Sequence, residues 1–558
     1  MRGDEGSHVG GGPQLSENPE NLPPKRETLA AAGIISIAVM ASRVLGVLRE
    51  SLRAALLGAG FHGDAFVIAY RIPNLLRDLF AEGALSAAFV PTFTDFLMNR
   101  SREEAHALAG LVMSAVFLIT GVLALLGIYF APELVGLIAP GFSAIAGKAE
   151  FAAQLTAIMM PFLPLVALSA VLMGMLNAQR RFFVPALAPA LFNVVSIIVA
   201  IILWFMTEDP SAAAVGWSFG VLAGGAAQLL AQVPSLWRLR YRFVPALRGM
   251  FSNPGVRRIA RLMAPAVIGL GAVQISIFVN SIFASRLGNG PLSWLDYAFR
   301  LYYLPIGLFG VALGTVTQTN VAEDAARGDR EALRAGLAHS LRLVMFLTVP
   351  ATIGLIALAR PIVSLLFEWG RFTASDAEAT SYVLSAYVFG LVAVSSVKVL
   401  VPLFYALDRP SVPLIASVCA VCVNVGFNWW SHLAIGAPGI ALGMALGSLT
   451  NMAMLFVLAG KELGGWRGQG LALCLAKTLL ASVLIGLLAR WGAILIAWLW
   501  VEGTGPLLVR RLTMAFVPII VAVLVYLPYA RRIGIEEVDD VDRILEKIRR
   551  RLPGGRSA

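Results

Sequence analysis

Three segments of this chain gather charged and polar residues in patterns suited to holding a ligand. Arg43, Arg49, Glu50 and Arg53 form the first, and Asp64, Arg71, Asn74, Arg77, Asp78 and Glu82 the second. The third holds Ser293, Asp296, Arg300 and Tyr303 at spacings of three and four. On a helix turning about 100° per residue, Asp64, Arg71 and Asp78 recur every seven and share one stripe, with Asn74 and Glu82 beside it. One face of that helix is wet. A guanidinium stays charged and grips two oxygens at once, which suits phosphate. The neighbouring acids keep the local sum from being strongly positive, so the count suggests an anionic ligand without fixing it.

The segments that carry these residues are otherwise apolar. Of 558 residues, 58% are hydrophobic and 14% charged, whereas soluble domains run near one quarter charged. A bilayer-spanning helix needs about 20 apolar residues. Fourteen such runs lie between residues 30 and 530, among them 64–97, 151–176, 294–319 and 378–405, each read as one span. The chain is thus an all-α polytopic membrane protein of about fourteen transmembrane helices, with no room for a sizeable soluble enzyme domain. An arginine near the centre of a span costs about 2.5–3.5 kcal/mol on insertion scales, so the charges above must face a cavity or a partner. For Arg53, Lys398 and Lys477 the plainer reading is a structural ion pair or a reach to the headgroups. Arg49, Arg77 and Arg300 read as functional. Pro73, inside the wet stripe, predicts a bend there.

The net charge of +11 is distributed by topology. Alternate loops hold Arg100 and Arg102, Arg180 and Arg181, the run from Arg238 to Arg261, then Arg327, Arg330 and Arg334, and the tail carries Arg549, Arg550 and Arg551. The intervening loops are sparse in basic residues, which places both termini on the cytoplasmic side. A nucleic-acid protein would instead gather its charge on one soluble module, so no nucleic-acid partner is expected. Residues 1–28 read as a disordered cytoplasmic tail. The stretches 236–258 and 531–558 read as a basic linker and a basic tail, whose charge marks either amphipathic helices lying along the membrane surface or plain topology signal.

An internal duplication organises the rest. Leu57-Gly58-Ala59-Gly60 recurs as Leu287-Gly288-Asn289-Gly290, Ala69-Tyr70-Arg71-Ile72 as Ala298-Phe299-Arg300-Leu301, and Arg181 with Val184-Pro185 as Arg409 with Val412-Pro413. Three matches in one order at nearly one offset imply duplicated halves. They predict an N-lobe over 29–235 (helices 1–6) and a C-lobe over 259–460 (helices 7–12), parallel repeats around a central cavity, with helices 13–14 over 470–530 outside the repeat. Arg300 is then the counterpart of Arg71, and the two should face one shared space.

Other motifs lead nowhere. Gly58-x-Gly60-x-x-Gly63 has the spacing of a dinucleotide loop but no preceding strand, and reads as a turn. There is no nucleotide-binding P-loop. The five histidines lack zinc spacing, and no metal or cofactor is expected. Cys419-x-x-Cys422 lies in an apolar helix and reads as packing. Asn424 and Asn428, one turn apart without a carboxylate nearby, read as helix-to-helix hydrogen bonding.

Ser42-Arg43-Val44-Leu45-Gly46 with Arg49, Asp64-Ala65-Phe66, Pro73-Asn74-Leu75-Leu76-Arg77 and Phe80-Ala81-Glu82-Gly83-Ala84 closely resemble the bacterial lipid II flippase family, MurJ or MviN. Gly307-x-x-Gly310-Val311-Ala312 and Gly370-Arg371-Phe372-Thr373 resemble it too. The resemblance runs from about residue 30 to 530. It implies two six-helix lobes around a central cavity, as in the multidrug/oligosaccharidyl-lipid/polysaccharide exporter superfamily, and a final helix pair forming a groove for the lipid tail. It implies substrate-binding roles for Arg43, Arg49, Asp64, Asn74, Arg77, Glu82, Ser293 and Arg300, with Glu50 where the family carries an acid beside an arginine. Many members have acids at the positions of Phe299 and Tyr303, and Asp296 is the residue that could substitute.

The resulting expectation is a transporter with no covalent chemistry, moving undecaprenyl-pyrophosphate-linked peptidoglycan precursor, lipid II, from the inner to the outer leaflet by alternating access. Its partners are lipid II and membrane lipids. Membrane potential or ion coupling are both compatible with the reset. The alternatives are an O-antigen-type lipid-oligosaccharide exporter, which should lack the Asn74–Arg77 and Phe80–Ala84 patterns together, and a drug/cation antiporter, which should present unpaired cavity carboxylates. A membrane glycosyltransferase would need a catalytic acid on a large outer loop, and these loops are short.

Overall fold

The computed structural model describes residues 25–78, 84–241, 244, 246, 248–250, 252–500 and 506–549. All its regular elements are helices. The first lobe contains α1 (Lys25–Leu57), α2 (Phe61–Arg77), α3 (Ala84–Asn99), α4 (Arg102–Tyr129), α5 (Ala131–Ile138), α6 (Lys148–Met159), α7 (Phe162–Ala178), α8 (Phe183–Met206) and α9 (Pro210–Leu230). A short α10 (Val233–Arg238) leads to the second lobe. That lobe contains α11 (Pro254–Ser285), α12 (Pro291–Pro305), α13 (Val311–Arg327), α14 (Arg330–Ala357), α15 (Ala359–Phe367), α16 (Ala374–Val388), α17 (Leu391–Ala406), α18 (Ser411–Ala434) and α19 (Ala437–Glu462). Outside the lobes lie α20 (Leu471–Leu499), α21 (Leu507–Arg532) and α22 (Val538–Arg549).

The duplication is visible in the boundaries. α4 and α14 begin and end 228 residues apart, and so do α8 and α18. Even the turn after α7 recurs, because Arg180 and Asp408 both adopt the left-handed conformation at φ 58° and 56°. Capping repeats as well: Ser101 accepts from the Glu104 amide ahead of α4, and Asp329 from the Glu331 and Ala332 amides ahead of α14. These caps satisfy amides that the first helical turn leaves unpaired.

Among the described residues, eleven helical runs are long and apolar enough to cross a membrane. Two of the expected single spans are interrupted helices. The run 151–176 is divided between α6 and α7, and 378–405 between α16 and α17, whereas 294–319 stays helical through a π-helical turn over Ile306–Gly310. Pro73 does not end α2, which continues to Arg77. Among the described residues of the linker, Tyr241 and Met250 are buried, and the Ala246 amide donates to Ser114 Oγ of α4 at 3.2 Å. The tail does form a helix, α22. The expected disorder of 1–28 falls on residues outside the described part, apart from the start of α1.

One apolar cluster crosses the molecule, drawing Phe66 and Ile68 of α2, Tyr297 and Leu301 of α12, Phe367 of α15 and Tyr387 of α16 into contact. Burial is graded along the helices that meet there. Residues 63–69 of α2 and 291–293 of α12 are buried, whereas 74–78 and 303–304 are open to solvent in part or whole. The lobes are thus sealed at the Gly58/Gly290 end and part toward the other. Outward faces of α20 and α21 expose Leu487, Trp491, Trp498 and Leu524, as helices bathed in lipid do.

Candidate functional site

The sealed end is built on close backbone approach. Gly58 sits at φ 67°, and a Cβ there would lie 2.9 Å from the Arg371 carbonyl oxygen. The Arg371 amide in turn donates to the Ala55 carbonyl across the lobes at 2.9 Å. The glycine spacing that mimics a nucleotide loop is this turn. Directly beneath it, Asp64 is fully buried and accepts from Lys148 Nζ (3.0 Å), Ser293 Oγ (2.7 Å) and the amides of Gly290 (2.7 Å) and Ser293 (2.9 Å). Lys148 is also fully buried and donates to Asn289 Oδ1 at 2.8 Å. One carboxylate therefore joins α2 and α6 of the first lobe to the start of α12 in the second.

Below this clasp, α1, α2 and α12 project a charged network. Arg53, 3% exposed, reaches Asp296 at 2.6 Å and Glu50 at 3.0 Å, with its guanidinium over the Tyr297 ring at 4.5 Å. Glu50 also pairs with Arg49 and, at 3.1 Å, with Arg300. Asp296 receives Arg300 one turn on at 3.2 Å and Arg71 at 3.8 Å. Arg71 donates to Ser281 Oγ of α11 at 2.5 Å. The repeat counterparts Arg71 and Arg300 therefore converge on one acid.

This network walls a cavity of about 500 Å³ between the lobes, lined also by Arg43, Asn74, Asp78, Gln274 and Tyr303. Five arginines face it against three carboxylates, a net of two positive charges. Exposure separates their roles. The Arg300 side chain is 31% open and that of Arg71 19%, against 4% for Arg53. The first two can offer free N–H groups to an anion, while Arg53 holds the acids in place. Asn74 Oδ1 has no hydrogen-bond partner among the described residues and is ready to accept one.

Arg43, Arg49, Glu50, Asn74 and Arg300 of the expected set border this cavity. Asp64 and Ser293 do not; they are locked in the clasp. Arg77 pairs with Asp78 at 2.8 Å, and it is Asp78 that borders the space. Glu82 and the Phe80–Gly83 part of its motif lie outside the described residues. Three network members were underweighted by the sequence reading. Arg71 carried a signal in the repeat and Asp296 in its spacing from Arg300, while Arg53 stands one turn from Glu50. Lys148 carried none, since it lies between the apolar runs. Asn424 and Asn428 bond to each other and to Asn280 of α11 at 2.8–3.1 Å, a neutral buried cluster.

A duplicated helical bundle in a membrane, holding a charged cavity between its halves and sealed at one end, is a transporter and not an enzyme. The chain belongs to the lipid II flippase MurJ family, whose model matches residues 53–510. It is 33% identical over 527 residues to the probable lipid II flippase MurJ of Bdellovibrio bacteriovorus, covering 93% of this chain and 97% of that one. Against the lipid II flippase MurJ of Burkholderia cenocepacia it is 32% identical over 459 residues, covering 82% and 88%. A solved lipid II flippase MurJ in an inward closed conformation superposes with a TM-score of 0.72 at 26% identity, over 89% of this chain and 97% of that one. An inward-facing multidrug resistance MATE family transporter of the MOP superfamily shares the fold, with a TM-score of 0.65 at 15% identity, over 77% and 98%.

Proposed function

We propose that this chain carries lipid II, a polyprenyl-pyrophosphate-linked disaccharide-peptide, from the inner to the outer leaflet of the bacterial cytoplasmic membrane. The observation that carries the reading is the meeting of Arg71 and Arg300, one from each half, on Asp296 at the wall of a shared cavity. Basic loops mark the cytoplasmic side, which puts the termini inside, the open end of the cavity inward and the clasp outward. An entering pyrophosphate competes with Glu50 and Asp296 for the guanidiniums, and its charge offsets the cavity's excess of two. Binding in this way rewards the state in which the lobes close on the headgroup. Release then requires Asp64 to let go of Gly290 and Ser293, and Lys148 of Asn289, so that the outer end can open. The polyprenyl tail stays in lipid, along the apolar faces of α20 and α21.

A cationic cargo fits this lining poorly, because its carboxylates are all committed to arginines. To test the reading, the native flippase is depleted in a bacterium, this chain or a variant is expressed, and lipid II in the outer leaflet is measured. The wild-type chain should restore export. Arg300→Ala and Arg71→Ala should reduce it at least tenfold at equal membrane levels. Normal export by both variants would remove the binding role assigned to the pair.

A further inference from the structure

A second cavity, of about 450 Å³, opens between α13 and α17 and is lined by Val311, Gly314, Thr315, Gln318, Lys398 and Tyr405 among others. Lys398 was expected to pair with an acid or reach the headgroups. Its side chain is exposed on this cavity, and among the described residues it makes no ion pair or hydrogen bond and no carboxylate borders the space. The linings of the two cavities follow one another along α12 and α13. Arg300, Tyr303, Leu304 and Gly307 line the first, while Val311, Gly314, Thr315, Gln318 and Ala322 line the second. These positions follow the i, i+3, i+4 rule without a gap, so one continuous helix face runs from the charged network past the π-helical turn into the second cavity. Gly314 fixes the approach of the lysine. A Cβ at that position would stand 2.9 Å from the Lys398 carbonyl oxygen and 3.2 Å from its Cβ, so the Lys398 side chain starts at this wall. At 1.5 Å per residue, Gly314 lies roughly 21 Å along the helix from Arg300.

We propose that this cavity is a second anion subsite on the transport path, in which Lys398 receives a carboxylate at the peptide end of the headgroup while the pyrophosphate engages Arg71 and Arg300. The inference rests on the flippase reading above. The separation suits it, because a sugar carrying a short peptide, extended at about 3.3–3.6 Å per residue, spans such a distance. So does the chemistry. An ammonium is a compact point charge, and with Thr315, Gln318 and Tyr405 as neutral hydrogen-bonding groups it matches one carboxylate, whereas a pyrophosphate calls for the guanidinium forks of the first cavity. Val311, Val397, Val401 and Pro402 leave apolar wall for aliphatic parts of a peptide.

The same lysine could instead hold the phosphate of a membrane phospholipid, and the test separates the two. The full chain is placed in phosphatidylcholine nanodiscs, and affinity is measured for lipid II and for the same polyprenyl-pyrophosphate disaccharide without its peptide. Lys398→Met should weaken lipid II binding about tenfold, the worth of a hydrogen bond to a charged group, and leave the peptide-free lipid unchanged. Lys398→Arg should stay within about twofold of wild type, while Arg300→Ala weakens both ligands. If Lys398→Met binds lipid II normally while Arg300→Ala does not, the subsite is overturned and the flippase reading stands. Equal loss for both ligands also overturns it, in favour of phospholipid contact. If the wild-type chain binds neither lipid, the flippase reading falls and the subsite with it.

Discussion

The arginines of the central network divide by what surrounds them. Arg53 is enclosed by Glu50, Asp296 and two aromatic rings, so no ligand can reach it without dismantling the packing. Arg300 shares the same acids but keeps nearly a third of its side chain open to the cavity. Removing one member of a buried charged set leaves the others uncompensated and costs about 3–5 kcal/mol. Asp296→Ala, which strips a counter-charge from Arg53, Arg71 and Arg300 together, should therefore lower stability by about that amount. Thermal unfolding of the purified protein in detergent would read it as a clear drop in melting temperature. Arg300→Ala should differ in kind: a stability loss under about 1 kcal/mol, because the open side chain is screened, with export reduced as stated above. Equal destabilisation by both substitutions would show that exposure does not separate binding from structural arginines here.

At the scale of elements, the clasp is the counterpart of the network: it fastens α2 and α6 to the first turn of α12, whose free amides are a natural seat for a carboxylate. Asp64 fills that role with every contact inside protein, so weakening it should release the sealed end. In Asp64→Asn the charge opposite buried Lys148 disappears, and the outward-open state should become more populated. A cysteine at Asn74, in a background whose native Cys419, Cys422 and Cys474 are replaced, should then react faster from the outer side with a membrane-impermeant thiol reagent. An unchanged rate would mean that the clasp does not hold the gate. Much of this arrangement was legible beforehand. Arg71 and Arg300 were paired by the repeat alone, because duplication preserves helix faces, and Asp296 announced itself by standing one turn before Arg300. Lys148 was not legible, since its partner lies 84 residues away and no periodicity links two separate helices. Asp64 misled for a related reason: its place on the wet stripe was right, but depth along the stripe decides whether a residue meets cargo or gate. The turns that divide α6 from α7 and α16 from α17 were hidden because the apolar runs continue through them.

For the whole molecule, the pattern of fastenings states which parts should travel together. Contacts of the last helices fall on the second lobe. Arg342 of α14 binds Glu537 at 2.6 Å, Glu368 after α15 binds Arg511 at 2.9 Å, and Tyr526 donates to the Phe346 carbonyl of α14 at 2.9 Å. These pins hold α21 at both ends, and Ala481 and Ile485 of α20 pack with Phe346 and Tyr526, so the pair should move with that lobe as one body. The sealed end, by contrast, joins the two lobes through contacts that alternating access must break. Double-cysteine variants of the cysteine-free background should distinguish the two kinds of joint. Ile353→Cys with Gly486→Cys links α14 to α20, where a Cβ on Gly486 would touch the Ile353 side chain at 2.4 Å. Closing that pair with a short thiol cross-linker should leave lipid II export within about twofold of the uncross-linked control, because no moving joint is bridged. Ala55→Cys with Arg371→Cys spans the lobes at a backbone hydrogen bond of 2.9 Å, and closing it should abolish export until reductant is added. Export that survives the second cross-link would mean that the lobes do not separate at this end, and the cavity would need another way out.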